Sequence, residues 1–235
     1  DKVAKILSLV KLEEYGKRKP NQLSGGQSQR VALARSLIKE PKVLLLDEPM
    51  AALDKKLRQS TQFELVDIQF QLGVTFIIVT HDQEEAMTLS DRIAIMEQGK
   101  FVQIGEPNSI YENPNSNFVA DFIGNINLFN AKITSTNDDA SFYCEALGGE
   151  IVIKKSIQDQ NVKDVTLALR PEKMIIQKES PSDEDTNFIS GVVEDFGYFG
   201  NLSIYRVRTN NGDIIQVSKQ NRMRTEQPIK WEDEV

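Results

Sequence analysis

The sequence predicts an α/β domain followed by an all-β domain, and three features carry that expectation. Through residue 124, helical patterns alternate with short, wholly apolar runs, as they do in α/β folds. After Gly124 the pattern changes to short alternating runs separated by turn residues, which suits a small β-barrel or sandwich. At 235 residues the chain is long enough for two ordinary domains with cores of their own. The expected boundary falls near residues 124–130, giving domains 1–124 and 125–235.

Each element has a local reason. Val3, Ile6, Leu7 and Val10 have helical spacing at the start of the chain. Residues 27–39 read as a helix, with Val31, Ala34 and Ile38 on one face. Val43-Leu44-Leu45-Leu46, bounded by Pro41 and Pro49, has the composition of a strand buried on both faces. A helix is expected over 55–72, where Phe63, Val66 and Phe70 and also Leu65, Ile68 and Leu72 follow helical spacing, with Gly73 as its C-cap. Val74–Val79 reads as a second buried strand, and a helix follows near 83–89. Arg92–Met96 and Lys100–Ile104 form a hairpin pattern around Glu97-Gln98-Gly99. Two short helices are expected at 107–112 and 116–123. Strand patterns then recur at Ile151–Ile153, Val165–Leu169, Ile189–Val193, Leu202–Val207 and Ile214–Val217, with an exposed loop over Lys178–Asn187.

Charge and composition exclude some functions. With 28 basic against 35 acidic side chains, the net charge is −7, and a general nucleic-acid binder needs a basic surface. No apolar run approaches the roughly 20 residues that cross a bilayer. The N-terminal Asp1-Lys2-Val3-Ala4 lacks the apolar core of a signal peptide. The single cysteine, Cys144, cannot form an internal disulfide, so a reducing, cytoplasmic setting is expected. Both ends read as cuts through structure, as in a fragment of a longer protein.

Three short segments carry residues suited to chemistry. Leu23-Ser24-Gly25-Gly26-Gln27 precedes the helix at 27–39. Two glycines there let a ligand approach the backbone closely, and free N–H groups with the helix dipole attract phosphate. Taken alone, Ser-Gly-Gly reads first as a serine N-cap in a glycine-rich turn. Asp47-Glu48 ends an apolar strand, the position where ligands gather in open α/β sheets. Asp47 suits Mg²⁺, held directly or through water, and Glu48 suits orienting or deprotonating a water. An acidic strand end that caps the next turn is the equal alternative. Thr80-His81-Asp82 stands at the corresponding end of the next strand, and His81 is the only histidine. A lone histidine is more often structural, but this placement suits a hydrogen-bonding sensor of a γ-phosphate.

In order and spacing these segments carry a family resemblance. Leu23–Gln27, the strand into Asp47-Glu48, then Ala52-Leu53-Asp54 and His81 resemble the signature motif, Walker B, D-loop and switch histidine of ATP-binding-cassette ATPases. The resemblance covers residues 1–124 and implies part of a P-loop NTPase domain. The second half resembles the OB-like TOBE domain of importer ATPases, through Leu169-Arg170-Pro171-Glu172 and Gly191–Gly200. Asp47–Arg58 and the join Phe122–Asn130 resemble the polyamine (putrescine and spermidine) importer branch, although sugar and iron importers share much of the pattern.

The resemblance implies ATP and Mg²⁺ as cofactors. It implies a head-to-tail homodimer, transmembrane permease partners, and a peripheral place on the cytoplasmic face of the inner membrane. Asp47 is then the metal residue, and Glu48 and His81 are catalytic. Ser24, Gly25, Gly26, Gln27 and Asp54 serve nucleotide across the dimer. No Gly-x-x-x-x-Gly-Lys-Ser/Thr occurs in these residues, so the chain by itself is expected to be inactive and its sheet to carry an exposed edge. The alternative for the chain as it stands is a non-catalytic dimerisation or ligand-binding module built on the β domain.

Overall fold

The computed structural model describes residues 2–51, 53–136, 139–154, 162–181, 187–222 and 229–235. The chain divides into two compact units, Asp1–Asn113 and Pro114–Val235.

In the first unit, helix α1 (Lys2–Leu9) and two 3₁₀ turns lead to α2 (Gly25–Leu37). Helix α2 starts two residues earlier than its apolar pattern, because Ser24 caps it. Strand β1 (Val43–Asp47) and β2 (Thr75–Val79) flank α3 (Lys55–Leu72). Asp54 caps the N-terminus of α3, and Gly73 ends it in the left-handed conformation (φ 60°), its N–H bonding the Gln69 carbonyl at 2.9 Å. Helix α4 (Gln83–Leu89), the hairpin of β3 (Ile93–Glu97) and β4 (Lys100–Gly105), and α5 (Pro107–Glu112) complete the unit. Gln98 and Gly99 both take positive φ (48° and 77°), which brings the hairpin strands together in matching twist.

Strands β1 and β2 pair in parallel, Val43 with Thr75 through Asp47 with Val79. One core gathers Leu44 with Val10, Leu12, Ala34, Leu37, Ile68 and Val74; a second holds Met50, Leu53 and Leu65. The expectation that both strands are buried on both faces is corrected. Leu45 is 72% exposed and Val79 61%, with Val43 and Ile77 also open. Side chains alternate across a strand, and among the described residues the packing partners of the sheet meet only the Leu44 and Leu46 face. The two strands form a sheet of their own. The apolar pattern of α3 is likewise used on one side only: Leu65 and Ile68 are buried, whereas Phe63 and Phe70 are exposed.

The second unit opens with α6 (Asn117–Phe122). One sheet orders β7 (Gly149–Ile153), β6 (Ala140–Cys144), β5 (Asn127–Ser135) and β8 (Asp164–Leu169). The other orders β11 (Ile214–Gln220), β10 (Leu202–Thr209) and β9 (Gly191–Tyr198). Phe129, Ala131, Phe142 and Leu167 of the first sheet and Val193, Tyr205, Val207, Ile215 and Val217 of the second share one core, as in a sandwich or open barrel. Residues Asp233 and Val235 add main-chain bonds to β9 through Val193 and Gly191.

Strands β5 and β6 were not among the expected ones. Their inward positions include Asn127, Ala131, Ala140 and Cys144, which give a weaker alternation than aliphatic residues do. The compact units divide after Asn113, earlier than the 124–130 boundary read from the sequence. Helix α6 falls with the second unit because the buried Arg170 guanidinium donates to the carbonyls of Ala120 (3.0 Å), Gly124 and Asn125 (both 3.2 Å). The expected loop Lys178–Asn187 lies partly outside the described residues.

Candidate functional site

The parallel register sets Asp47 beside Val79, so the segments after β1 and β2 leave the sheet side by side. The Glu48 N–H continues the ladder by donating to the Val79 carbonyl at 2.8 Å. Glu48 itself has φ 43°, a left-handed backbone that a non-glycine residue adopts at a cost of about 1 kcal/mol. Its carboxylate Oε1 stands 2.8 Å from Nδ1 of His81. Two residues 33 apart in sequence thus form one hydrogen-bonded pair on the open side of the strand ends. His81 is raised above the ordinary histidine value, first by this hydrogen bond and then by the Glu48 charge, against a small desolvation effect.

Asp47 is exposed, and its carboxylate has no hydrogen bond or ion pair among the described residues. A free carboxylate at a parallel strand end fits a hard cation that keeps most of its waters. Among the described residues no group of three or more His, Cys, Asp or Glu is arranged as a metal cage. A cation here would draw its remaining oxygens from elsewhere, as Mg²⁺ does with substrate phosphates.

Ser24 and Gln27 close a capping box at the start of α2. The Gln27 N–H donates to Ser24 Oγ at 3.3 Å, and the Ser24 N–H donates to Gln27 Oε1 at 2.9 Å. The serine hydroxyl accepts there, and its own hydrogen stays available to donate. The two glycines differ. A Cβ on Gly26 would lie 2.9 Å from the Leu57 side chain, whereas one on Gly25 would meet nothing within 4 Å. Of the two, only Gly26 lies where an added Cβ would make the Leu57 side chain shift. Leu57 belongs to the first turn of α3, and its N–H donates to the capping Asp54 Oδ1 at 3.0 Å.

The first turn of α3 thus joins two groups of candidates. It touches Gly26 through Leu57, and through Arg58 it reaches Asp82, next to His81. The structure brings Glu48 and His81 into contact, with Asp47 adjacent in the chain. Ser24, Gly25, Gly26 and Gln27 form a separate turn, and Asp54 is engaged as a helix cap. Sequence reasoning assigned no role to Arg58, Thr80, Asp82 or Glu85. Asp82-Gln83-Glu84-Glu85 has the spacing of an N-cap with an acidic third residue, a local signal for Asp82 and Glu85, whereas Arg58 meets Asp82 only in the folded chain.

Residues 1–51 match the ABC transporter family and residues 167–235 match the TOBE domain. The chain is 50% identical over 238 residues to the putrescine transport ATP-binding protein PotG of Escherichia coli (strain K12), covering 100% of this chain and 62% of that protein. It is 44% identical to the spermidine/putrescine import ATP-binding protein PotA of Thermotoga maritima, covering 100% of this chain and 64% of that protein. The chain therefore spans less than two thirds of the length of these curated relatives. Among solved structures, cbiO1 from Clostridium perfringens, part of the ABC transporter complex cbiONQ, superposes with a TM-score of 0.45 at 37% identity, over 46% of this chain and 43% of that one. The chain thus carries a segment similar to the ABC transporter family, residues 1–51, and a segment similar to the TOBE domain, residues 167–235.

Proposed function

We propose that the protein to which this chain belongs is the ATP-hydrolysing subunit of an importer that takes up polyamines, putrescine or spermidine. The 50% and 44% identical relatives, a putrescine transport protein and a spermidine/putrescine import protein, support the substrate class. The observation that carries the catalytic reading is the Glu48–His81 hydrogen bond at the ends of two parallel strands.

In this reading ATP is the substrate, and Asp47 would hold Mg²⁺, which would neutralise charge developing on the γ-phosphoryl group. Glu48 takes a proton from the attacking water, using the carboxylate oxygen that does not face His81. His81, held at Nδ1 by Glu48, turns Nε2 outward to donate to a γ-phosphate oxygen. Ser24, Gly25, Gly26 and Gln27 present a hydroxyl and helix N–H groups to the nucleotide of a second subunit, and Asp54 couples the two sites of that homodimer. Among the described residues no helix is long and apolar enough to cross a membrane. Peripheral attachment at the cytoplasmic face of the inner membrane, through permease subunits, follows from the importer reading.

The 235 residues contain no phosphate-binding Gly-x-x-x-x-Gly-Lys-Ser/Thr, so this chain alone turns over no ATP. Glu48→Gln in the full-length protein is the primary test. It should retain bound ATP without hydrolysing it, and turnover at the wild-type rate would remove Glu48 from its role. Calorimetry of Mg·ATP with the 235-residue chain should give no binding. A clear isotherm would mean that a phosphate site other than the motif above exists in these residues.

A further inference from the structure

His81 has little packing to hold it. Its side chain is 75% exposed, so the position of its ring depends on the backbone that carries it and on its bond to Glu48. Both flanking residues are fixed. The Asp82 N–H donates to Thr80 Oγ1 at 3.0 Å, and the Thr80 hydroxyl donates to Glu85 Oε2. Asp82 Oδ1 caps α4 by accepting from the Glu85 N–H at 3.1 Å. The remaining Asp82 oxygen, Oδ2, accepts from Arg58 Nη1.

Arg58 closes the circuit. Its Nη2 donates to the Leu53 carbonyl at 3.2 Å, in the segment that leads into the Asp54 cap. The Arg58 side chain is only 31% exposed, and its Nε is buried without a hydrogen-bond partner among the described residues. One planar group thus spans two segments, the entry to α3 and the His81 turn. A point-charge ammonium cannot reproduce that two-point fork.

We infer that Arg58 is a positioning residue, which ties Leu53 to Asp82 and so holds the His81 turn where the ring meets Glu48. Arg58 thereby adds a polar link between the 53–54 segment and the His81 turn to the packing of Leu53 with Phe76 and Leu89. This deepens the reading of Glu48 and His81 as the reacting pair and rests on it, but its test needs no nucleotide.

His81 is the only histidine in the chain, so its ring signals in an NMR pH titration need no assignment. The groups acting on its titration are Glu48 first, with smaller contributions from Asp82 and Glu85. Arg58→Met separates two outcomes of opposite sign. Loss of positioning frees the ring from Glu48, and the His81 titration falls towards that of a Glu48→Gln control. If Arg58 acted only as a charge, its removal would unmask Asp82, and the titration would rise or stay. A rise or an unchanged midpoint overturns the inference. Should Arg58→Met fail to fold, Arg58→Lys keeps the charge and loses the fork. It should still move the titration part of the way towards the Glu48→Gln value, and a wild-type midpoint in Arg58→Lys overturns the inference. Failure of the catalytic reading would show instead as normal ATP turnover in full-length Glu48→Gln.

Discussion

Asn127 joins the two sheets of the second unit, and replacing it by Ala or Leu should destabilise that unit by an amount its bonds define. Its side-chain amide acts as a peptide group would. Oδ1 accepts from the Gln216 N–H at 2.8 Å, and Nδ2 donates to the Gln216 carbonyl at 2.9 Å and the Leu169 carbonyl at 3.2 Å. Among the described residues strand β11 pairs only with β10, so on its outer edge Asn127 satisfies both main-chain groups of Gln216. Each buried group left without a partner costs about 1–3 kcal/mol. Gln216 is half-buried, so water recovers part of its loss, and the expected total is about 2–3 kcal/mol. That is a large share of the roughly 5–15 kcal/mol that stabilises a domain. Trp231, the only tryptophan, lies in this unit, so urea denaturation followed by its fluorescence reads the correct transition. With a slope of about 2 kcal/mol/M, the midpoint falls by about 1 M or more in either variant. A midpoint within about 0.2 M of wild type, at unchanged slope, would refute the role given to this amide.

Other substitutions test the remaining contacts. Gly26→Ala should lower thermal stability by about 1 kcal/mol by displacing Leu57. Gly25→Ala, in a helix with open space around the new methyl, should not lower it yet should depress ATP turnover in the full-length protein; equal melting losses in the two variants would contradict the distinction. Arg170→Met should destabilise the second unit by about 3 kcal/mol, because the carbonyls of Ala120, Gly124 and Asn125 lose a charged donor. Glu85 is raised above the usual carboxylate range, chiefly by burial. A raised folded value favours the folded state below the unfolded value, and that contribution is lost as pH rises through the folded one. Glu85→Gln should therefore be more stable than wild type at neutral pH, with the gain shrinking below about pH 4. A gain that is the same at both pH values would show that burial of the charge is not its source.

What the sequence determined by itself is local. Consecutive residues are enough for the capping turn at Ser24–Gln27, the C-cap at Gly73, the hairpin at Gln98-Gly99 and the strand ending in Asp47-Glu48, because each uses backbone groups within a few residues. The resemblance to ABC transporter and TOBE sequences was legible for the same reason, since its motifs are contiguous. Tertiary structure alone decided the rest. Glu48 meets His81 only because β1 and β2 align Asp47 with Val79. Arg58 reaches Asp82 only because α3 and α4 pack beside those strand ends, and Asn127 finds Gln216 across 89 positions. Nor does the run Val43–Leu46 disclose that Val43 and Leu45 stay exposed while Leu44 is buried. An apolar side chain records a preference for burial, but which faces are covered depends on which elements pack there, and that is a property of the assembled fold.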